Sequence, residues 1–244
     1  MKSLYIHAEN IHNTNAAKIV VPLILDIIPA KSVLDVGCGT GTWLKVFSDY
    51  SVNDYVGIDS EYVDPSQLYI DKSKFIPHDL TRPIDLQRKF DLVLSLEVAE
   101  HLPESAADTF VENLVRHGRM IVFSAAIPGQ GGQNHLNEQW PEYWQEKFKS
   151  HGYLYYDLIR PKIWHNDGVD VWYRQNMFIL FHESLEFDFP VYNNSDLIHP
   201  AYWLRIIEYR KHIDEWRNGN VGIANTWKAF KLSILNKLEW IFNR

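Results

Sequence analysis

Thiol chemistry is nearly absent from this chain: Cys38 is the one cysteine among 244 residues. An intrachain disulfide is excluded, one sulfur cannot assemble a thiolate zinc site, and a reducing interior is the expected surrounding. Long apolar runs are missing too. The most apolar early stretch, Ile19 to Ile28, is broken by Pro22 and Asp26 and is too short to span a bilayer. The start, Met-Lys-Ser-Leu-Tyr-Ile-His, has no apolar segment of signal length, so a soluble cytoplasmic protein is expected. Runs of Lys and Arg are also lacking. With 24 basic against 31 acidic residues the net charge is −7, and nucleic acid is not an expected partner. No repeat or low-complexity tract occurs. What remains is 46% hydrophobic and 23% charged, a composition that supports a large core and excludes disorder.

The most informative stretch is residues 33–41, Val-Leu-Asp-Val-Gly-Cys-Gly-Thr-Gly. A short buried strand around Asp35 gives way to Gly37, Gly39 and Gly41, which permit a sharp turn and close approach of a ligand to the main chain. Thr42 stands where a dinucleotide loop of the form G-x-G-x-x-G would carry its third glycine. Asp35, two places before the first glycine, would repel a pyrophosphate but not a cationic ligand bearing an amino acid. The loop therefore favours S-adenosylmethionine (SAM) over NAD. Cys38, inside the loop, reads as a small residue packed behind it.

Three further apolar runs follow, and two of them end in an acid. Tyr55-Val-Gly-Ile-Asp59 places a carboxylate where it accepts ribose hydroxyls, as in doubly wound nucleoside sites. Phe75-Ile-Pro-His-Asp79-Leu80 ends in an acid suited to an adenine amino group, and Phe90 to Leu96 is a fourth strand. Over roughly residues 11 to 182 the chain resembles the class I SAM-dependent methyltransferases. The resemblance implies Asp35, Gly37, Gly39 and Gly41 around the methionyl part, Asp59 on ribose, and Asp79 with Leu80 near adenine. It also implies an α/β fold with a doubly wound, seven-stranded, mostly parallel Rossmann-like sheet whose last strand is antiparallel.

Coarse periodicity places a helix over about 13–28 and strands at 33–36, 54–58, 74–76 and 90–96. A helix starting at Pro103 runs to about 116, because proline suits a first helical turn. A fifth strand covers 119–124, a helix 141–150, a strand 153–158, and a long strand 174–182 closes the sheet. Residues 125–140, rich in Gly, Gln, Asn and Pro, form an ordered functional loop. The expected division is a methyltransferase domain over 1–183 and a helical extension over 184–244.

Directly after the fourth strand comes Leu96-Glu97-Val98-Ala99-Glu100-His101-Leu102. Ligands bind at the carboxyl ends of such strands. One helical turn would gather Glu97, Glu100 and His101 on a face, and the resemblance to class I methyltransferases implies that Glu97 also contacts the methyl donor. Two carboxylates and an imidazole suit Mg²⁺ or Mn²⁺. The Glu-x-x-Glu-His pattern is similar to that of ubiquinone-pathway O-methyltransferases and of small-RNA 2′-O-methyltransferases. In the latter it binds a divalent metal together with a later histidine, a position His135 would fill here. Three readings stay open: a metal at Glu97, Glu100, His101 and His135; a metal-free base at His101 or His135 with Glu100 beside it; or a structural histidine.

The acceptor pocket is expected from 125–145 and 160–176. There Trp140, Tyr143, Trp144, Trp164, Trp172 and Tyr173 interleave with Gln130, Gln133, Asn134, Asn137, Arg160, Asn166, Arg174 and Gln175. Flat rings beside amides suit a sugar, although core packing explains several of the rings singly. The phrases Gly-Gln-Asn-His-Leu-Asn-Glu-Gln-Trp and Trp-Tyr-Arg-Gln-Asn resemble methyltransferases of surface-glycan biosynthesis, so the expected activity is O-methylation of a sugar or glycan precursor. A quinone-type phenol O-methyltransferase, an RNA 2′-O-methyltransferase and an idle SAM-fold assembly partner are the alternatives. In the extension, Ile223, Trp227, Phe230, Ile234, Leu238 and Ile241 recur at spacings of three or four among Lys228, Lys231, Lys237 and Arg244. That amphipathic helix would dock on the core, make a homodimer, or attach peripherally to the inner face of an anionic membrane.

Overall fold

The computed structural model describes residues 13–187, 189, 197–218 and 220–242, with side chains up to Ser233 in the last helix. Contacts divide the chain into two compact units, Met1–His199 and Pro200–Arg244. The boundary falls later than the expected 183/184. Gln175 accounts for this locally: its amide donates to the Leu197 carbonyl at 2.7 Å and accepts from the His199 N–H at 2.6 Å. Those bonds tie the end of the first unit to its interior.

The first unit is a seven-stranded sheet: β1 (Ser32–Val36), β2 (Asp54–Asp59), β3 (Phe75–Pro77), β4 (Leu92–Leu96), β5 (Met120–Ser124), β6 (Tyr153–Tyr156) and β7 (Phe178–His182). Their order is β3-β2-β1-β4-β5-β7-β6, and β7 alone runs opposite to the other six strands. The helices are α1 (Asn15–Ile27), α2 (Thr42–Asp49), α3 (Ala107–His117), α4 (Pro141–Lys149), α5 (Arg160–Ile163) and α6 (Val171–Asn176). The strands are apolar on both sides and alternate between two cores, as helices on both faces require. Val33, Leu92, Leu94 and Val122 pack with Val20, Val21, Leu44 and Phe47 of α1 and α2. Leu34, Val36, Val93, Ile121 and Phe123 pack with Phe110, Leu114, Trp144 and Phe148 of α3 and α4.

Two expected elements change. The long strand 174–182 is α6 followed by β7, because the segment through Asn176 leaves the sheet and only Phe178 onward pairs with β5. The helix expected at Pro103 begins as a 3₁₀ turn, Glu104–Ala106, before α3. The second unit consists of α7 (Pro200–Arg217) and α8 (Ile223–Phe242). No helix among the described residues is long and apolar enough to cross a membrane.

Candidate active site

The parallel strands β1, β2 and β4 end together, and the glycine loop lies between them. The Gly37 and Cys38 N–H groups both donate to the Ile58 carbonyl of β2, at 2.7 and 3.1 Å. Asp59 accepts from the Gly39 N–H at 2.6 Å and from the Ser60 N–H at 2.6 Å. Gly37 sits at φ +88°, where a Cβ would lie 2.3 Å from Val98 Cγ2. The sharp turn and the close approach together leave no room for a side chain. Cys38 Sγ packs over Gly57, which confirms its place behind the loop.

Asp35 is buried, and its carboxyl is pushed up to about 8, first by burial and then by the charge of Asp59. Two acids facing one loop make a poor seat for a phosphate and a favourable one for a cation. Asp79 stands at the end of β3 with its carboxyl held low, chiefly by the Thr81 hydroxyl and N–H. It also contacts Arg82 at 3.3 Å, and Leu80 beside it is buried.

Glu97 does not share a helical turn with Glu100 and His101. It adopts φ +55° at the end of β4, and the helical geometry is a 3₁₀ turn over Ala99–His101. The strand must reverse within one residue there, and a non-glycine residue in that conformation carries backbone strain. Its carboxylate accepts from Asn176 Nδ2 at 3.0 Å and from Gln130 Nε2 at 2.8 Å. Burial pushes Glu97 up while these amides hold it down.

Glu100 is fully buried, and neither carboxylate oxygen completes a hydrogen bond of full geometry; the Glu97 carboxyl, the Ala126 N–H and its own N–H lie against it. Burial, then the neighbouring Glu97, pushes its carboxyl well up. Its main-chain carbonyl accepts from the Leu136 and Asn137 N–H groups, at 2.7 and 3.0 Å, and so binds the 125–140 loop to this turn. That loop delivers His135, whose ring meets the His101 ring edge to face at 4.8 Å. One donor atom each from Glu100, His101 and His135 lie within 4.8 Å of one another. His101 is pushed down to about 4, by burial and then by His135, so its ring is neutral at pH 7.

Glu138, which the residue types alone do not single out, organises the loop. It accepts from the Gly129 and Gly131 N–H groups at 2.7 Å each, and His135 Nδ1 lies 2.7 Å from its Oε1. This contact fixes the orientation of the His135 ring and leaves Nε2 on its other side. Nε2 lies over Gly132, at 2.2 Å from where a Cβ would stand.

Residues 8–157 match the family model described as a methyltransferase domain. The chain belongs to the methyltransferase domain family. No curated protein matches the sequence. Among solved structures, the methyltransferase domain of bacterial CtHen1 shares 18% identity over 70% of this chain and 100% of its own, with a TM-score of 0.51. The sugar N-methyltransferase KedS8 from Streptoalloteichus sp ATCC 53650 shares 16% over 75% and 97%, also at 0.51. At such identities the likeness is one of fold.

This methyltransferase-family chain thus gathers Glu100, His101 and His135 beyond the carboxyl ends of β4 and β5, with Glu97 beside them on amide partners. Several residues expected in the acceptor pocket are structural instead. Trp144 packs on Phe123 at 5.4 Å within the core. Arg160 is buried on Asp157, the Tyr155 hydroxyl and the Gln175 carbonyl. Gln175 holds 197–199, and Arg174 pairs with Asp167. Trp140 stays exposed at the edge of the loop, and Tyr173 stacks edge-on against Trp43 of α2 at 5.2 Å. Asn176 and Glu138 were recognisable only as members of longer phrases, because their partners lie elsewhere on the chain.

Proposed function

We propose that this methyltransferase transfers the methyl group of SAM to a hydroxyl of a sugar or glycan precursor. In this reading Glu100, His101 and His135 hold a divalent ion such as Mg²⁺ or Mn²⁺. The observation that carries the proposal is the Glu100 carboxylate, wholly buried without a completed hydrogen bond and converging with two imidazoles. Leaving a buried carboxylate so poorly satisfied is costly unless a cation or proton belongs there. One carboxylate and two imidazoles fit a borderline divalent ion, Mn²⁺ better than the oxygen-preferring Mg²⁺. Such an ion, when bound, lowers the pKa of an oxygen that it coordinates.

The chain's own residues do the rest. Transfer forms an oxygen–carbon bond to the methyl group and breaks the methyl–sulfur bond, with the electron pair left on sulfur and the hydroxyl proton released. Asp35 and Asp59 favour the cationic donor, and the tight glycine loop fixes where its methyl points. Strained Glu97, clamped by Asn176 and Gln130, forms the floor between donor and acceptor. Equipment for removing a proton favours oxygen over an unprotonated amine, which brings its own free pair. Exposed Trp140 at the edge of the loop supplies a flat face for a sugar ring.

The His135–Glu138 contact favours a second reading, in which His135 Nε2 is a general base with no ion present. A rate effect of roughly 10²- to 10⁴-fold is expected of such a base. The deciding experiment follows labelled methyl transfer from SAM to nucleotide sugars and glycan fragments, with EDTA and then Mn²⁺ added back. Loss with EDTA and recovery with Mn²⁺ supports the ion; indifference to EDTA selects the base. Full rate in both His101→Ala and His135→Ala would sink both chemical roles.

A further inference from the structure

The catalytic reading leaves α8 without a task. Among its described residues Ile223, Trp227 and Phe230, spaced by four and three, share one face and are 80%, 59% and 56% exposed. Leu232 is the one large apolar side chain among them off that face. Lys231 borders the face, Lys228 follows further round, and both are exposed. The sequence continues with Lys237 and, beyond the described residues, Arg244. In a chain of net charge −7, no acid stands between Glu215 and Glu239. The side chains of Ile234, Leu238 and Ile241, expected to extend the face, lie outside the described residues.

We infer that α8 is an interfacial helix that docks this methyltransferase on an anionic membrane surface. Its apolar ridge enters the boundary between headgroups and acyl chains, and its lysines meet lipid phosphates. The inference stands apart from the acceptor and the metal, since it draws on nothing in the catalytic site. Lys228 and Lys231 prevent α8 from crossing the bilayer but suit a helix lying in the interface, where long side chains reach out to charge. Trp and Phe rings favour the same depth. A second copy seated on this face would set lysines along both edges with no acid between Glu215 and Glu239 to offset them. A membrane supplies the missing negative charge.

The test is sedimentation of the full chain with vesicles, either phosphatidylcholine alone or with about one third phosphatidylglycerol. Binding to the anionic vesicles should exceed binding to neutral ones by about tenfold or more and weaken with added salt. A Lys228→Glu/Lys231→Glu variant and a Trp227→Ala/Phe230→Ala variant should each lose about tenfold or more. All four sites are exposed, so circular dichroism and SAM affinity should match the parent. No sedimentation of the parent with anionic vesicles, or sedimentation of either variant equal to the parent's, overturns the inference. So does a dimer, seen by light scattering, that the Trp227→Ala/Phe230→Ala variant dissolves while vesicle binding stays unchanged.

Discussion

Residues 37–41 and residues 127–139 are both glycine-bearing loops at the ends of parallel strands, β1 and β5, yet they are held by different means. The first is fixed by main-chain bonds to β2 and by packing: Val98 fills the space over Gly37 and Ile70 the space over Gly41. The second has open space around Gly129 and Gly131, and a single carboxylate, Glu138, gathers their N–H groups together with His135. A loop set by sterics resists change everywhere. The second is set by Glu138 together with the Glu100 carbonyl, which holds Leu136 and Asn137, so removing Glu138 should loosen it most around His135. The half proposed to hold the donor is therefore fixed by packing and main-chain bonds, whereas the half proposed to meet the acceptor relies on Glu138 and the Glu100 carbonyl.

The largest effect should come from attacking the sterics. Gly37→Val drives a branched side chain into Val98 at a backbone conformation that L residues avoid, at a cost of about 3 kcal/mol or more. Calorimetry should show SAM affinity lowered more than about a hundredfold, alongside a clear fall in Tm. Near-normal binding would mean that the loop is looser than its packing.

Glu138→Ala attacks the other loop. Losing a carboxylate that orients a working histidine costs roughly 10- to 100-fold in metal affinity or activity. The loss should appear in kcat, while SAM affinity and Tm stay close to the parent. Equal damage to SAM binding would erase the distinction between the two halves.

A pH effect sharpens the comparison from the donor side. In the ligand-free protein Asp35 is protonated below about 8. Unfolding lowers that value to the ordinary carboxylate range, so the folded form holds more protons in between. Stability from this group is present at low pH and is lost as pH rises from about 4 toward 8. SAM, a cation, prefers the ionised form: its affinity should rise by up to about tenfold per pH unit below 8 and then level off. Asp35→Asn should flatten both profiles. An unchanged slope in that variant would assign the proton to another group.

How much of this was readable in the amino-acid order follows the same division. The strands and the glycine loop follow from contiguous residues, since apolar runs and turns are local features, whereas the antiparallel β7 was implied only by the family resemblance. The boundary of α6 and β7 was not readable, because Trp172 and Tyr173 look like strand residues until tertiary contacts make them a helix. Glu100, His101 and His135 are recognisable as types, but their meeting depends on the Glu100 carbonyl holding Leu136 and Asn137. Glu138 and Asn176 escaped notice as individuals, because each acts on a partner that only the fold brings near. The φ of +55° at Glu97 was hidden as well, since nothing in Leu-Glu-Val announces a reversed residue.

The smallest expected effect separates two glycines within the acceptor loop. At Gly129 a Cβ meets nothing within 4 Å, although φ is +85°. Gly129→Ala should cost only the left-handed backbone penalty, about 1 kcal/mol, and leave kcat within a few-fold of the parent. At Gly132 the same methyl group would stand 2.2 Å from His135 Nε2. That ring must turn aside and lose its alignment with Glu138 and His101. Gly132→Ala should therefore lower kcat about tenfold while Tm changes little, since the clash falls on a partly exposed ring and not on the core. Matched kcat values for the two variants would show that His135 has slack in its position. The hold of Glu138 on this loop would then be weaker than its contacts imply.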